Sequence, residues 1–77
     1  MRTNIESTMK IVAITANLAA LHAILKHAAE RSAEAHGVIL RGERNGAIGA
    51  LLGLDAILED AKTLYGAAMA LHRTEGF

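Results

Sequence analysis

The chain has no cysteine and no proline, and only Tyr65 and Phe77 are aromatic. The absence of cysteine excludes a disulfide framework and cysteine-ligated zinc. Eight basic and eight acidic residues cancel, so the chain lacks the positive charge that binding to nucleic acid or to an anionic membrane normally requires. We therefore expect no nucleic-acid partner.

The sequence also contains few candidate catalytic residues. There is no cysteine nucleophile, and Ser7 and Ser32 have no base and orienting acid on compatible helical faces. We expect a protein that is not an enzyme and holds no cofactor.

What the chain does contain is apolar and helix-forming. Of its 77 residues, 52% are apolar, and sixteen are Ala and ten are Leu. This composition favours helix over sheet. A chain of this length forms one domain, residues 1–77, near the lower limit at which a single core is stable. Self-association is therefore expected from length alone.

The first half of the chain predicts one long helix. Thr3 and Glu6 have the spacing of a capping box, which starts the helix near residue 4. Gly37 supplies a stop, so the helix runs from about residue 4 to about 36. Steps of three and four define its predicted core stripe. The stripe contains Ile11, Ile14, Leu18, Leu21, Leu25, Ala28, Ser32 and Ala35.

The second half predicts a second helix, from about residue 46 to about 74, after a turn at 37–45. Its start falls between residues 43 and 47, and Gly76 is a suitable stop. Leu51, Leu58 and Tyr65 widen its apolar arc sideways. A turn this short forces the helices into an all-α, antiparallel hairpin. The core stripe of the second helix contains Ala50, Leu54, Ile57, Ala61, Leu64, Ala68 and Leu71.

Further apolar rows predict that two hairpins pair. The first helix carries a second apolar row on another face, and the second helix carries a row of small residues that a neighbouring backbone can approach. One partner helix cannot cover both rows, so we expect a homodimer in the form of a four-helix bundle. The predicted interface contains Ile5, Met9, Val12, Ala16, Gly49, Gly53 and Ala56.

The turn is the predicted contact with a larger protein. It combines aliphatic residues with arginine, a composition common in interfaces. Asp60, at the edge of the second apolar stripe, is a further candidate for contact with a basic patch. The turn candidates are Ile39, Leu40, Arg41 and Arg44. The leading hypothesis is an inhibitor, adaptor or regulatory subunit.

Three alternatives stay open. His22 and Lys26 lie one turn apart on a helix, as a phosphotransfer histidine in a helical bundle would. His27, Glu30 and Glu34 share one face at spacings of three and four, within reach of a single metal ion. A third possibility is a structural subunit of a larger assembly.

Polar residues interrupt both long apolar segments. In the first helix Asn17, His22 and Lys26 break the run of roughly 20 apolar residues that spanning a bilayer requires. We therefore expect no membrane partner and a cytoplasmic protein.

Overall fold

The protein is all-helical in the part that the structure describes. The computed structural model describes the backbone of residues 2–73 and the side chains of residues 5–73. Its elements are α1 (Arg2–Leu40), α2 (Arg44–Leu51) and α3 (Leu54–Arg73), and α1 packs against both of the others. The result is a helical hairpin with a long arm, α1, and a bent arm, α2 with α3. It forms a rod of 61 × 14 × 12 Å.

The boundaries of α1 correct two predictions. The helix begins at Arg2, so Thr3 lies within it, and it continues through Gly37 to Leu40. The glycine that ends it is Gly42, which has a φ of 82°. Its N–H donates to the Ile39 carbonyl at 2.9 Å, and the N–H of Glu43 donates to the Val38 carbonyl at 3.2 Å. These two bonds form a Schellman motif, and the turn is residues 41–43 rather than 37–45.

The inward face of α1 is rotated by one residue from the predicted stripe. Ile11, Leu18 and Leu25, expected in the core, are 63%, 51% and 46% exposed, and Ser32 is exposed as well. Both stripes have the same spacing and share four residues, of which Ala28 and Ala35 are buried. The buried or half-buried stripe runs through Lys10, Ile14, Asn17, Leu21, Ile24, Ala28, Arg31, Ala35 and Val38.

The predicted core stripe of the second arm is confirmed. All seven of its residues, Ala50 to Leu71, are buried or half-buried. Leu51, Leu58 and Tyr65, which flank this stripe, are 39%, 48% and 58% exposed.

The second arm is bent, which corrects the prediction of one helix over 46–74. α2 starts at Arg44, inside the predicted window, and stops before Leu52, whose ψ is 132°. Gly53 has a φ of 90°, a conformation that interrupts a helix and that glycine adopts without strain. The Gly53 carbonyl then accepts the N–H of Ile57 at 3.2 Å, which opens α3. The predicted stop at Gly76 lies outside the described residues.

The core of the hairpin is built from alanine. Among the described residues, those buried in the core are Ala28, Ala35, Ala47, Ala61 and Ala68. Small side chains let two helix backbones approach closely, because nothing larger separates them. Several large aliphatic side chains, such as Leu21 and Ile57, are half-buried between the arms, and thirteen large apolar side chains are exposed on the outside of the rod.

Candidate functional site: an interaction surface

Three contacts define the register of the two arms, that is, which residues lie at the same height along the rod. A Cβ on Gly46 would lie 2.9 Å from Cγ1 of Val38, so these residues are adjacent. Farther along the rod, Arg31 Nη2 donates to the Leu52 carbonyl, and Ile24 and Ile57 line one groove. Because the core stripes of both arms repeat every seven residues, this register extends along the rod. It places Leu25 level with Leu58, and Leu18 level with Tyr65.

A row of large apolar residues follows the core stripe on each arm. In heptad terms the residues of both rows occupy the e position, directly after a core position. In an antiparallel pair, rows with the same heptad letter lie on the same side, so the two rows form one surface. We call this surface the apolar face. It contains Ile11, Leu18, Leu25 and Ile39 of α1, with Leu51, Leu58 and Tyr65 of the second arm, which are 39% to 63% exposed.

The opposite side of the hairpin contains a groove in which two polar side chains lie among apolar ones. This shallow groove of about 280 Å³ lies between Ala23, Ile24, His27, Ile57 and Asp60. His27 and Asp60 both occupy the g position, directly before a core position, and their presence in one groove supports the assignment of sides. Asp60, a predicted partner-binding residue, thus lies in this groove, in the middle of the rod and away from the turn.

Arg31 fastens α1 to the bend of the second arm. Its bond to the Leu52 carbonyl puts a guanidinium at the C-terminus of α2, where a positive charge interacts favourably with the helix dipole. Its Nε is buried and has no hydrogen-bond partner, because the side chain crosses the helix interface to reach Leu52. No feature of the sequence pattern marked Arg31 for this contact.

The predicted dimer interface is exposed but not continuous. Ile5, Met9 and Val12 are 61%, 65% and 62% exposed, and Ala16 is also open to water. In the second arm, Gly49 and Ala56 are exposed. The bend at Gly53 separates these two, so the three small residues do not form one helical row.

The turn presents the predicted apolar and arginine-bearing patch. Leu40 is 73% exposed and Ile39 is 43% exposed. Arg41 Nε lies 3.7 Å from Glu43 Oε2, with both side chains more than half exposed, an ion pair worth about 0 to 1 kcal/mol. Arg44 is exposed in the first turn of α2. All four predicted residues are therefore accessible at the tip of the rod.

The residues of the two chemical alternatives lie on open helix surface. His22 and Lys26 are exposed on α1, as are His27, Glu30 and Glu34. Among the described residues, no group of three His, Cys, Asp or Glu side chains is arranged to hold a metal ion. His27, Glu30 and Glu34 do not form a preorganised metal site.

The segment Ile5–Leu40 is long and apolar enough to cross a membrane. Its most apolar stretch has a mean hydropathy of 1.6, and none of that stretch is buried inside the hairpin. A core helix of a soluble protein or a signal sequence near the N-terminus can contain an apolar stretch of similar length and hydropathy. The expectation of a cytoplasmic protein without a membrane partner stays a prediction.

Comparison with known proteins adds no relative. No family model, no curated protein and no solved structure matches this chain.

Proposed function

We propose that this chain is a non-enzymatic protein that self-associates and acts by protein–protein binding in the cytoplasm, as an inhibitor, adaptor or regulatory subunit. The observation that supports the proposal is that small side chains are buried and many large apolar side chains are exposed, the opposite of the usual distribution in a soluble protein. Where the structure describes the chain, its buried core residues are all alanine, whereas thirteen large apolar side chains are 39% to 73% exposed. Soluble monomers rarely expose contiguous apolar patches above a few hundred Å².

The energy available from covering this surface is similar in size to the cost of association. Burying a large aliphatic side chain completely yields about 1.5 to 3 kcal/mol. The side chains of the apolar face are half exposed, so each contributes roughly 1 kcal/mol when covered. Seven of them on each of two copies give on the order of 10 kcal/mol, comparable with the 4 to 15 kcal/mol that association costs.

Sedimentation of the purified chain tests the proposal. At tens of micromolar we expect a discrete species of twice the monomer mass, with no growth on further concentration. A monomer at every concentration contradicts self-association. Open-ended growth indicates a structural subunit and contradicts the inhibitor or adaptor role.

A membrane-associated hairpin is the second candidate, favoured by the length and hydropathy of α1. Charged residues within α3, Asp55, Glu59, Asp60 and Lys62, oppose insertion of both arms. Flotation with neutral phosphatidylcholine vesicles distinguishes the two candidates. A self-associating soluble hairpin stays at the bottom of the gradient, whereas a membrane hairpin rises with the vesicles.

A further inference from the structure

We infer that the apolar face binds a second copy of this chain, with the two hairpins antiparallel and related by a two-fold axis at the level of Leu25 and Leu58. This inference rests on the proposed self-association and specifies its surface and geometry. It differs from the interface predicted from the sequence, in which Val12 and its row would be central.

The size of the apolar face fits a dimer interface. With seven large side chains that are each 39% to 63% exposed, the face presents several hundred Å² of mainly apolar surface. The largest apolar patch of a typical monomer is about 300 to 600 Å². Each partner of a standard interface buries about 800 Å². The face is thus comparable with the largest apolar patch of a monomer and supplies much of one side of a standard interface.

The chemistry of the face favours an identical partner. None of its seven residues is charged, so it carries no electrostatic feature that would select a different protein. The opposite side of the hairpin contains His27 and Asp60, polar groups that a dimer formed there would remove from water. A two-fold axis requires that one patch bind a copy of itself, and an uncharged strip two helices wide satisfies this condition.

The arrangement of the two rows locates the axis. On α1 the row extends from Ile11 to Ile39 with Leu25 at its centre. On the second arm it extends from Leu51 to Tyr65 with Leu58 at its centre. Leu25 and Leu58 lie level, so both rows are symmetric about the same point. An antiparallel copy rotated about that point covers the full length of both rows.

The residue pairs that result are compatible in size and polarity. Leu25 and Leu58 each meet their own copy, Ile11 meets Ile39, and Leu51 meets Tyr65. Leu18 meets Ser32, whose hydroxyl donates to the Ala29 carbonyl at 2.9 Å. Because this hydroxyl is already bonded within its own helix, an apolar neighbour leaves it satisfied.

The other two-fold arrangement, with both turns at the same end, fits less well. There α1 of one copy faces the second arm of the other copy at the same level. Ile11 would then meet His72, and Ile39 would meet Arg44, because these residues continue the row by seven positions at either end. The antiparallel arrangement instead pairs Ile11 with Ile39. At each end of the bundle Arg44 of one copy then lies level with His72 of the other, so neither of these polar side chains faces an apolar one.

Single-cysteine variants test this geometry, since the chain has no cysteine of its own. In Leu25→Cys the new thiol faces its own copy at the axis. Ile11→Cys and Ile39→Cys face each other, so they should crosslink when the two variants are mixed and not separately. Val12→Cys is the matched control, because Val12 and Ile11 are equally exposed and only Ile11 belongs to the face. Each variant is first checked for unchanged circular dichroism.

Under mild oxidation or with a short thiol crosslinker, we expect about tenfold more crosslinked Leu25→Cys than Val12→Cys. Crosslinking of Val12→Cys with none at Leu25→Cys overturns the inference, although self-association stands. Crosslinks between Leu25→Cys and Leu58→Cys only in a mixture overturn the antiparallel geometry. A wild-type monomer in sedimentation removes the proposed function together with this inference.

Discussion

Alanine and glycine residues set the distance between the two arms. Ala28 and Ala35 on α1, with Ala47 and Ala61 opposite, are the most deeply buried along this seam. Near the turn, Gly46 comes so close to Val38 that even one added carbon would overlap it. Larger side chains of the seam, such as Ile24 and Ile57, are only half-buried, and those that flank it remain on the surface where a second copy can cover them.

Replacing Gly46 by Ala should therefore destabilise the hairpin. The new Cβ would lie 2.9 Å from Val38 Cγ1, and a β-branched valine has little freedom to rotate away. Overpacking costs about 1 to 3 kcal/mol, more than the 0.5 to 1 kcal/mol that a helix gains when Ala replaces Gly. We expect a net loss of about 1 kcal/mol in the free energy of unfolding, measured by urea denaturation.

Gly49→Ala is the matched control for this prediction. Gly49 lies in the same helix, and a Cβ there meets nothing within 4 Å. This variant should gain about 0.5 to 1 kcal/mol from the helix propensity of Ala. An equal gain in both variants would show that Val38 and Gly46 are not in close contact.

Individual residues also explain why the sequence predicted α1 only in part. Ile14, Leu21, Ala28 and Ala35 belong both to the predicted stripe and to the observed one. The remaining positions differ by one residue. The structure places Lys10, Asn17, Ile24 and Arg31 inward, where Ile11, Leu18, Leu25 and Ser32 were expected. Hydrophobicity favours the expected set, whereas contacts with the second arm, such as that of Arg31 Nη2 with the Leu52 carbonyl, accompany the observed set. Periodicity alone cannot weigh these two effects.

At the scale of elements, the bend of the second arm depends on a glycine at position 53. Gly53 combines a positive φ with a carbonyl that starts α3, and Asp55 lies in the first turn of α3, where a negative charge is favourable. In the sequence, an acidic residue shortly after a glycine can indicate the start of a helix, and Asp55 follows Gly53 in this way. The spacing of Gly53 from Gly49 instead suggested a row of small residues on one continuous helix. Arg31 then holds the bend against α1 through the Leu52 carbonyl.

Gly53→Ala should destabilise the protein because alanine resists a φ of 90°. The penalty for a left-handed conformation is about 1 to 2 kcal/mol. Steric overlap adds little, since the new Cβ would be 3.7 Å from Arg31 Nη2. Thermal unfolding of Gly53→Ala, compared with Gly66→Ala in the middle of α3, measures the effect.

Gly66 is a suitable control because a Cβ added there would meet nothing within 4 Å. Gly66→Ala should therefore raise stability by about 0.5 to 1 kcal/mol. If Gly53→Ala stabilises the chain to the same extent, the second arm is one continuous helix in solution and has no bend at Gly53.

At the scale of the whole molecule, the hairpin has a thin core and a large apolar exterior. The all-helical class and the hairpin followed from composition, periodicity and the short turn. The apolar face did not, because nearly half of its residues were assigned to the core of α1. Only the rotation of α1 about its own axis, a property of the packed pair, moves Ile11, Leu18 and Leu25 onto the same side as Leu58 and Tyr65.

A dimer formed through the apolar face should have a stability that depends on protein concentration. A folded dimer in equilibrium with unfolded monomers becomes more stable as concentration rises, by about 1.4 kcal/mol for each tenfold increase. The Tm of the wild-type chain should therefore rise by several degrees for each tenfold increase in protein concentration.

Leu58→Glu places two carboxylates against each other at the two-fold axis, so this variant should unfold at a lower Tm that does not change with concentration. Val12→Glu, outside the apolar face, should keep the wild-type dependence. If Val12→Glu loses that dependence and Leu58→Glu keeps it, the copies meet through the N-terminal row of α1.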